Sequence, residues 1–171
     1  MATVTVLKFA DILYRWHDFI RDDLERFGYN PPKKMGQLLQ WLGTEFGRQQ
    51  VSENIWCEML AKRAKKYFDG VETLGFEKAF VIVDDMRFKN ELDISVSEFR
   101  KSDIETVTIR LECAKEVRKR RCDGWRENDT HPSEVDLDDW VGRFDLVVNT
   151  ELSEEEVKKQ ITEFLVTRTL I

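Results

Sequence analysis

The stretch that decides the fold is Phe80-Val81-Ile82-Val83-Asp84-Asp85-Met86-Arg87-Phe88-Lys89-Asn90-Glu91. A short apolar run rich in β-branched residues ends at two carboxylates, and an arginine follows two residues later. Such a run, without polar alternation, is typical of a strand buried on both faces of a parallel sheet. Ligands of open α/β folds bind just outside the carboxyl ends of these strands. We therefore expect ligand chemistry at Asp84, Asp85 and Arg87; the plain alternative is a strand end with solvated charges.

The segments around this run alternate between strand and helix patterns. Strand patterns cover 3–9, 79–83, 106–111 and 144–148. Helix patterns begin near residues 11, 38, 52, 92, 113 and 153. This alternation predicts an α/β fold in which a largely parallel sheet is flanked by helices. A chain of 171 residues is long enough for one domain, so we expect a single domain over 1–171, with a lid-like segment at about 115–135.

The composition narrows the classes of function. The net charge of -6 argues against a broad surface for a nucleic acid polymer. No apolar run approaches the roughly 20 residues that cross a membrane, and the first residues do not resemble a signal peptide. The three cysteines have no paired spacing, which favours reduced thiols and a cytoplasmic protein.

Four local groups of residues are candidates for chemistry. They are 41–48, ending in Arg48; 84–91; the helical trio Lys115, Arg118 and Arg121; and 131–149, beginning with His131. Each group also has a plain alternative: its charges lie at a helix end, on a solvated helix face or in a loop, without a functional role. Taken together they favour phosphate chemistry, because guanidinium groups bind phosphate oxygens in pairs and carboxylates at a strand end suit Mg²⁺.

These residues carry a resemblance to a known family. Phe9-Ala10-Asp11, then Leu39-Gln40-Trp41-Leu42-Gly43-Thr44-Glu45-Phe46-Gly47-Arg48, then Asp85-Met86-Arg87-Phe88-Lys89-Asn90-Glu91, resemble the phage-type deoxynucleoside monophosphate kinases. His131-Pro132-Ser133-Glu134, Leu137-Asp138-Asp139 and Phe144-Asp145 continue the resemblance. It covers nearly the whole chain from about residue 5. The chain is similar, more distantly, to the P-loop phosphomevalonate kinases.

The resemblance implies a P-loop kinase fold that transfers the γ-phosphate of ATP to a deoxynucleoside monophosphate, with Mg²⁺. It implies an acceptor site formed by Trp41, Arg48, Arg87, Glu91 and His131. It further implies that Arg118 and Arg121 are catalytic lid residues, that Asp85 is catalytic through the metal or its waters, and that Asp84 and Asp85 lie at the Mg²⁺ site. The expected partner is a small nucleoside monophosphate rather than a nucleic acid polymer or a membrane, and a homodimer is compatible with the sequence.

One part of the family pattern is absent. The motif G-x-x-x-x-G-K-[ST], which cradles the donor phosphates, does not occur, and none of the eight glycines precedes a lysine. We expect the first strand and the P-loop to be absent from the chain, which would leave two neighbouring strands without their central partner. Two hypotheses follow: a kinase whose N-terminal segment lies outside these residues, with activity in doubt, or a non-catalytic nucleotide- or partner-binding remnant of that fold.

Overall fold

The computed structural model describes residues 1–122, 132–140, 142–168 and 170. By their internal contacts, the residues divide into two compact units, Met1–Ile104 and Glu105–Ile171. Each unit contains its own pair of strands and its own helices. The two units are described separately below.

The first unit consists of two strands and the helices between and after them. Its elements, in chain order, are β1 (Ala2–Leu7), α1 (Asp11–Arg26), α2 (Gly36–Trp41), a π-helix (Leu42–Val51), α3 (Ile55–Thr73), β2 (Lys78–Val83) and α4 (Lys89–Lys101). β1 and β2 are parallel neighbours, with Leu7 opposite Val83 at their carboxyl ends. The four helical elements between them, of which α2 runs directly into the π-helix, form the long crossover that a parallel pair requires.

One face of this strand pair contributes to the core of the first unit. The core contains the buried residues Phe9, Trp56, Cys57 and Leu60, and Leu7 and Val83 pack against it. The other face carries Val4, Val6 and Ile82, whose side chains are about half exposed. The prediction that the 80–83 run is buried on both faces is therefore wrong for Ile82, because helix packing covers the opposite face.

The π-helix is shaped by close contact with α3. The indole N–H of Trp56 donates to the carbonyl of Gly43 at 2.8 Å, and the same ring lies where a Cβ at Gly47 would be. Any side chain at Gly47 would therefore collide with Trp56. π-Helical turns are rare and occur frequently at functional sites. Here the wide turn brings Arg48 to the end of the helix that faces α4.

The second unit has the same parallel arrangement on a smaller scale. Its elements are β3 (Ile109–Glu112), α5 (Lys115–Arg121), α6 (Pro132–Val135), β4 (Leu146–Asn149) and α7 (Glu154–Thr167). β3 and β4 are parallel, with Ile109 opposite Leu146. α7 begins at a capping box in which Ser153 and Glu156 bond each other's backbone N–H groups, as the sequence predicts.

The predicted order of elements is confirmed, with α6 as an additional short helix. The single largely parallel sheet is confirmed only in part: the described strands form two separate parallel pairs, β1 with β2 and β3 with β4. The fold is thus mixed α/β with short parallel sheets. One expectation for a side chain is wrong. His17 lies off the apolar stripe of α1, a position that predicts a solvated ring. It is instead 2% exposed, and hydrogen bonds at both ring nitrogens offset the cost of burying it.

Candidate functional site

The carboxyl ends of β1 and β2 lie side by side, and charged residues leave both. Because Leu7 is opposite Val83, Lys8 and Asp84 are the first residues beyond each strand. Their side chains form an ion pair of 3.2 Å between Nζ and Oδ2, about half exposed. The charged residues predicted at this edge are therefore at the strand end, where α/β folds bind ligands.

Asp85 holds the turn that follows β1. Its Oδ1 accepts the backbone N–H of Phe9 and its Oδ2 that of Ala10, both at 2.9 Å. Ala10 is the residue immediately before α1, so Asp85 satisfies N–H groups that a helix start leaves unpaired. A carboxylate here also complements the positive end of the helix dipole. The Arg63 guanidinium fixes the same turn, since it bonds the Lys8 carbonyl and the Asp11 carboxylate.

Arg48 and Glu91 form the buried centre of the site. Arg48 Nη2 lies 2.5 Å from Glu91 Oε1, and the two side chains are 10% and 3% exposed. Glu91 Oε2 accepts the backbone N–H groups of Arg87 at 2.6 Å and Phe88 at 3.0 Å, at the start of α4. One carboxylate therefore joins the end of the π-helix to the loop after β2. Glu91, also a predicted site residue, thus bonds the side chain of Arg48 and the backbone N–H of Arg87.

Phe88 and Asn90 belong to the candidate segment 84–91 but have no role in the predicted acceptor site. The Arg48 guanidinium carbon lies 3.9 Å from the centroid of the Phe88 ring, and Arg48 Nη1 donates to Asn90 Oδ1 at 3.1 Å. Asn90 Nδ2 in turn donates to the Glu53 carbonyl and to Asn54 Oδ1, both at 3.0 Å. Their proximity to Arg87 and Glu91 in the sequence is the signal that could have identified them.

Burial governs the protonation equilibria of this cluster. It raises the pKa of Glu91, against the opposing effects of the Arg87 and Phe88 N–H groups and the Arg48 charge. Cys57, whose Sγ lies 3.6 Å from the Asn90 carbonyl, is fully buried. Burial raises the pKa of its thiol to about 11, and the Glu91 charge acts in the same direction. Cys57 is thus a packed, protonated thiol rather than a nucleophile.

An exposed aromatic surface lies at the start of the π-helix. Trp41, the last residue of α2, is 46% exposed and stacks on Phe46, with ring centroids 5.6 Å apart and planes at 25°. Between them in sequence, Glu45 has a buried Oε2 for which the described residues provide no hydrogen-bond partner. Arg87 is also exposed at the edge after β2. The first unit therefore exposes two features: the aromatic platform formed by Trp41 and Phe46, and the side chain of Arg87. Arg48 lies in the interior.

The remaining predicted site residues belong to the second unit. Arg118 and Arg121 lie on α5 together with Lys115, as their spacing of three predicts, and Arg121 Nη1 donates to the Thr150 carbonyl at 2.8 Å. His131 lies outside the described residues. The lid role of these residues stays a prediction.

The side chains at the strand end do not form a direct Mg²⁺ site in this arrangement. Asp84 pairs with Lys8, and both oxygens of Asp85 accept backbone N–H groups. Within the described ranges there is no cluster of three or more His, Cys, Asp or Glu side chains arranged to hold a metal ion. We therefore derive no step through a metal from these residues.

A comparison with protein-family models finds none that matches the chain, and a comparison with curated proteins finds no match. Among the helices of the described residues, none has the length and apolar character needed to cross a membrane.

Proposed function

We propose that this chain is a deoxynucleoside monophosphate kinase-like protein, and that its first unit binds the acceptor nucleotide at the carboxyl ends of β1 and β2. The observation that carries the proposal is the Glu91 carboxylate, which joins Arg48 to the backbone of Arg87 at the end of a parallel strand. Arg87, exposed at the strand end of an α/β fold, suits a phosphate group, since guanidinium binds phosphate oxygens through paired N–H groups. The buried Arg48–Glu91 pair would position the backbone that carries Arg87.

The exposed aromatic platform supports the same ligand class. A nucleobase has an apolar face that stacks on indole and phenyl rings, and Trp41 with Phe46 offers such a surface. Trp41 precedes Arg48 by seven residues on one continuous helical segment. The residue that would stack on the base and the residue that would position the phosphate-binding loop then belong to one segment.

The pairing of the strands also supports a kinase-like fold. β1 pairs only with β2 and β3 only with β4 in the described part of the chain. Parallel pairs of this kind are typical of the α/β class of fold that the resemblance implies. Transfer of the ATP γ-phosphate would then require a G-x-x-x-x-G-K-[ST] segment from outside these 171 residues. In this proposal Arg118 and Arg121 act as lid residues, and Mg²⁺ would be supplied together with ATP. The proposed compartment is the cytoplasm.

A second candidate function is a non-catalytic binder of nucleotides or of a protein partner. Two observations favour it: these residues contain no phosphate-cradling motif, and the Asp85 carboxylate is engaged by backbone N–H groups. Such a protein would bind the monophosphate without turning it over.

The test measures ADP release from ATP and Mg²⁺ in the presence of each of the four common deoxynucleoside monophosphates, alongside binding of each monophosphate. The kinase proposal predicts binding by the chain alone and ADP release when a peptide or extension with the P-loop motif is added. Binding without release under both conditions would favour the non-catalytic binder. Neither binding nor release would contradict both the kinase and the nucleotide binder.

A further inference from the structure

His17 is the only histidine in the described residues, and its ring joins two helices. It projects from the middle of α1 and is 2% exposed. Its Nδ1 lies 2.9 Å from Asp18 Oδ1, and its Nε2 lies 3.0 Å from the backbone N of Met35. A carboxylate only accepts and a backbone N–H only donates. The ring is therefore neutral, with its proton on Nδ1 and a free electron pair on Nε2.

Met35 is the point where the chain enters the segment that carries Trp41 and Arg48. It is the N-cap residue of α2, and its carbonyl accepts the Leu39 N–H at 3.1 Å. α2 is followed without a break by the π-helix. Apart from this bond to His17, no side chain of the described residues caps α2. The hydrogen bond from the Met35 N–H to the His17 ring therefore links the beginning of α2 to α1.

We propose that His17 is a pH-sensitive latch: protonation of its Nε2 releases the Met35 N–H and loosens the start of α2 from α1. A protonated imidazole is a donor at both nitrogens, so two N–H groups would face each other across the present bond. The bond is lost and a charge is buried, both of which disfavour the closed arrangement. The test therefore compares a pH at which an ordinary imidazole is neutral with one at which it is protonated.

The charged groups around the ring either favour or disfavour a positive charge on His17. On α1, Asp18 bonds the ring and also pairs with Arg21 at 3.3 Å, while the Tyr14 ring lies edge-on at 6.5 Å. The loop before Met35 carries Lys33 and Lys34, which disfavour further positive charge. α2 has no charged side chain, and the charged side chains of the π-helix are Glu45 and Arg48. Among the described residues, Asp18 is thus the carboxylate bonded to the ring. It contacts Nδ1, which carries a proton in both the neutral and the charged imidazole.

The test follows hydrogen exchange of the Met35 amide by NMR at pH 8 and pH 5, with rates converted to protection factors. The latch predicts that protection of Met35 falls about tenfold at pH 5, the loss expected for one hydrogen bond. The Phe27 amide, bonded to the Asp23 carbonyl at the far end of α1, is the internal reference and should keep its protection. His17→Gln, which offers an amide oxygen in place of Nε2 and does not titrate, should protect Met35 equally at both pH values.

Equal protection of Met35 in the wild-type protein at pH 8 and pH 5 would overturn the latch, as would the same fall in His17→Gln. Where the variant does not fold, the tautomer of the wild-type ring decides the question. Long-range ¹H–¹⁵N correlations at pH 8 should show a proton on Nδ1 and none on Nε2. A proton on Nε2 would overturn the proposal.

Discussion

Arg48 and Glu91, 43 positions apart in the sequence, form an ion pair of 2.5 Å that is almost fully buried. The pair joins the end of the π-helix to the beginning of α4. Glu91 also accepts two backbone N–H groups, so both of its oxygens are engaged. The pair therefore fixes the geometry of the strand-end site as well as contributing to it.

Removal of one partner of this pair should be costly. Arg48→Met leaves the Glu91 carboxylate buried without its counter-charge, and we expect a loss of about 3–5 kcal/mol in the free energy of unfolding. The double variant Arg48→Met/Glu91→Gln should recover part of that loss, because no buried charge remains and the amide oxygen can still accept the Arg87 and Phe88 N–H groups. Urea unfolding of both variants and the wild type measures this. A double variant less stable than Arg48→Met would contradict the interpretation.

The adjacent carboxylates Asp84 and Asp85 should differ sharply in their effect on stability. Asp85→Ala removes the acceptor of the Phe9 and Ala10 N–H groups before α1, so we expect a loss of about 1–3 kcal/mol. Asp84→Ala removes only a half-exposed ion pair with Lys8 and should change stability by less than about 1 kcal/mol. Thermal unfolding monitored by circular dichroism compares the two. Equal losses would show that Asp85 does not hold the turn.

The two helical glycines Gly47 and Gly70 provide a matched pair. A methyl group at Gly47 would collide with the Trp56 ring, so Gly47→Ala should destabilise the protein by about 1–3 kcal/mol. Gly70, in α3, has open space around it, and Gly70→Ala should stabilise by up to about 1 kcal/mol through helix propensity. Chemical denaturation of the two single variants shows whether each substitution raises or lowers the free energy of unfolding. A neutral Gly47→Ala would mean that α3 does not pack against the π-helix in this way.

Cys57 should make stability fall at alkaline pH. Its pKa is about 11 in the folded protein against 9.0 for the ordinary thiol, so the unfolded state loses the proton first. The contribution of this thiol to the free energy of unfolding is present in full below pH 9. It is lost as the pH rises from 9 towards 11. Relative to Cys57→Ala, the wild type should lose about 1 kcal/mol between pH 8 and pH 10. A difference between the two proteins that does not change with pH would contradict the assigned shift.

The order of elements could be predicted from the sequence because each element carries its own local signal. The 3.6-residue periodicity of α1 ends where Gly28 adopts a positive φ, and Ser153 with Glu156 marks the start of α7. The pairing of strands depends on long-range contacts that no local pattern encodes. A run such as 80–83 is apolar enough for burial on both faces, yet the exposure of Ile82 is set by what packs against it.

The same distinction applies to the site. Asp84, Asp85 and Arg87 are predictable because they follow a strand, and Arg48 because it ends a helix beside two glycines. Sequence could not show that Asp85 would bond backbone N–H groups 75 and 76 positions away, or that Glu91 would be the partner of Arg48. The burial of His17 escaped prediction because the amide that satisfies Nε2 belongs to Met35, 18 positions along the chain.

The most direct test of the proposed function is calorimetric titration of the 171-residue chain with each deoxynucleoside monophosphate and with the matching deoxynucleoside. If a phosphate is recognised through Arg87, with Arg48 and Glu91 positioning it, at least one monophosphate should bind about tenfold or more tightly than its nucleoside, as charge-assisted hydrogen bonds predict. Arg87→Ala should remove that difference, whereas Arg26→Ala, which changes an exposed arginine at the end of α1, should leave it intact. Equal affinity for monophosphate and nucleoside, or no binding of any monophosphate, would contradict the account.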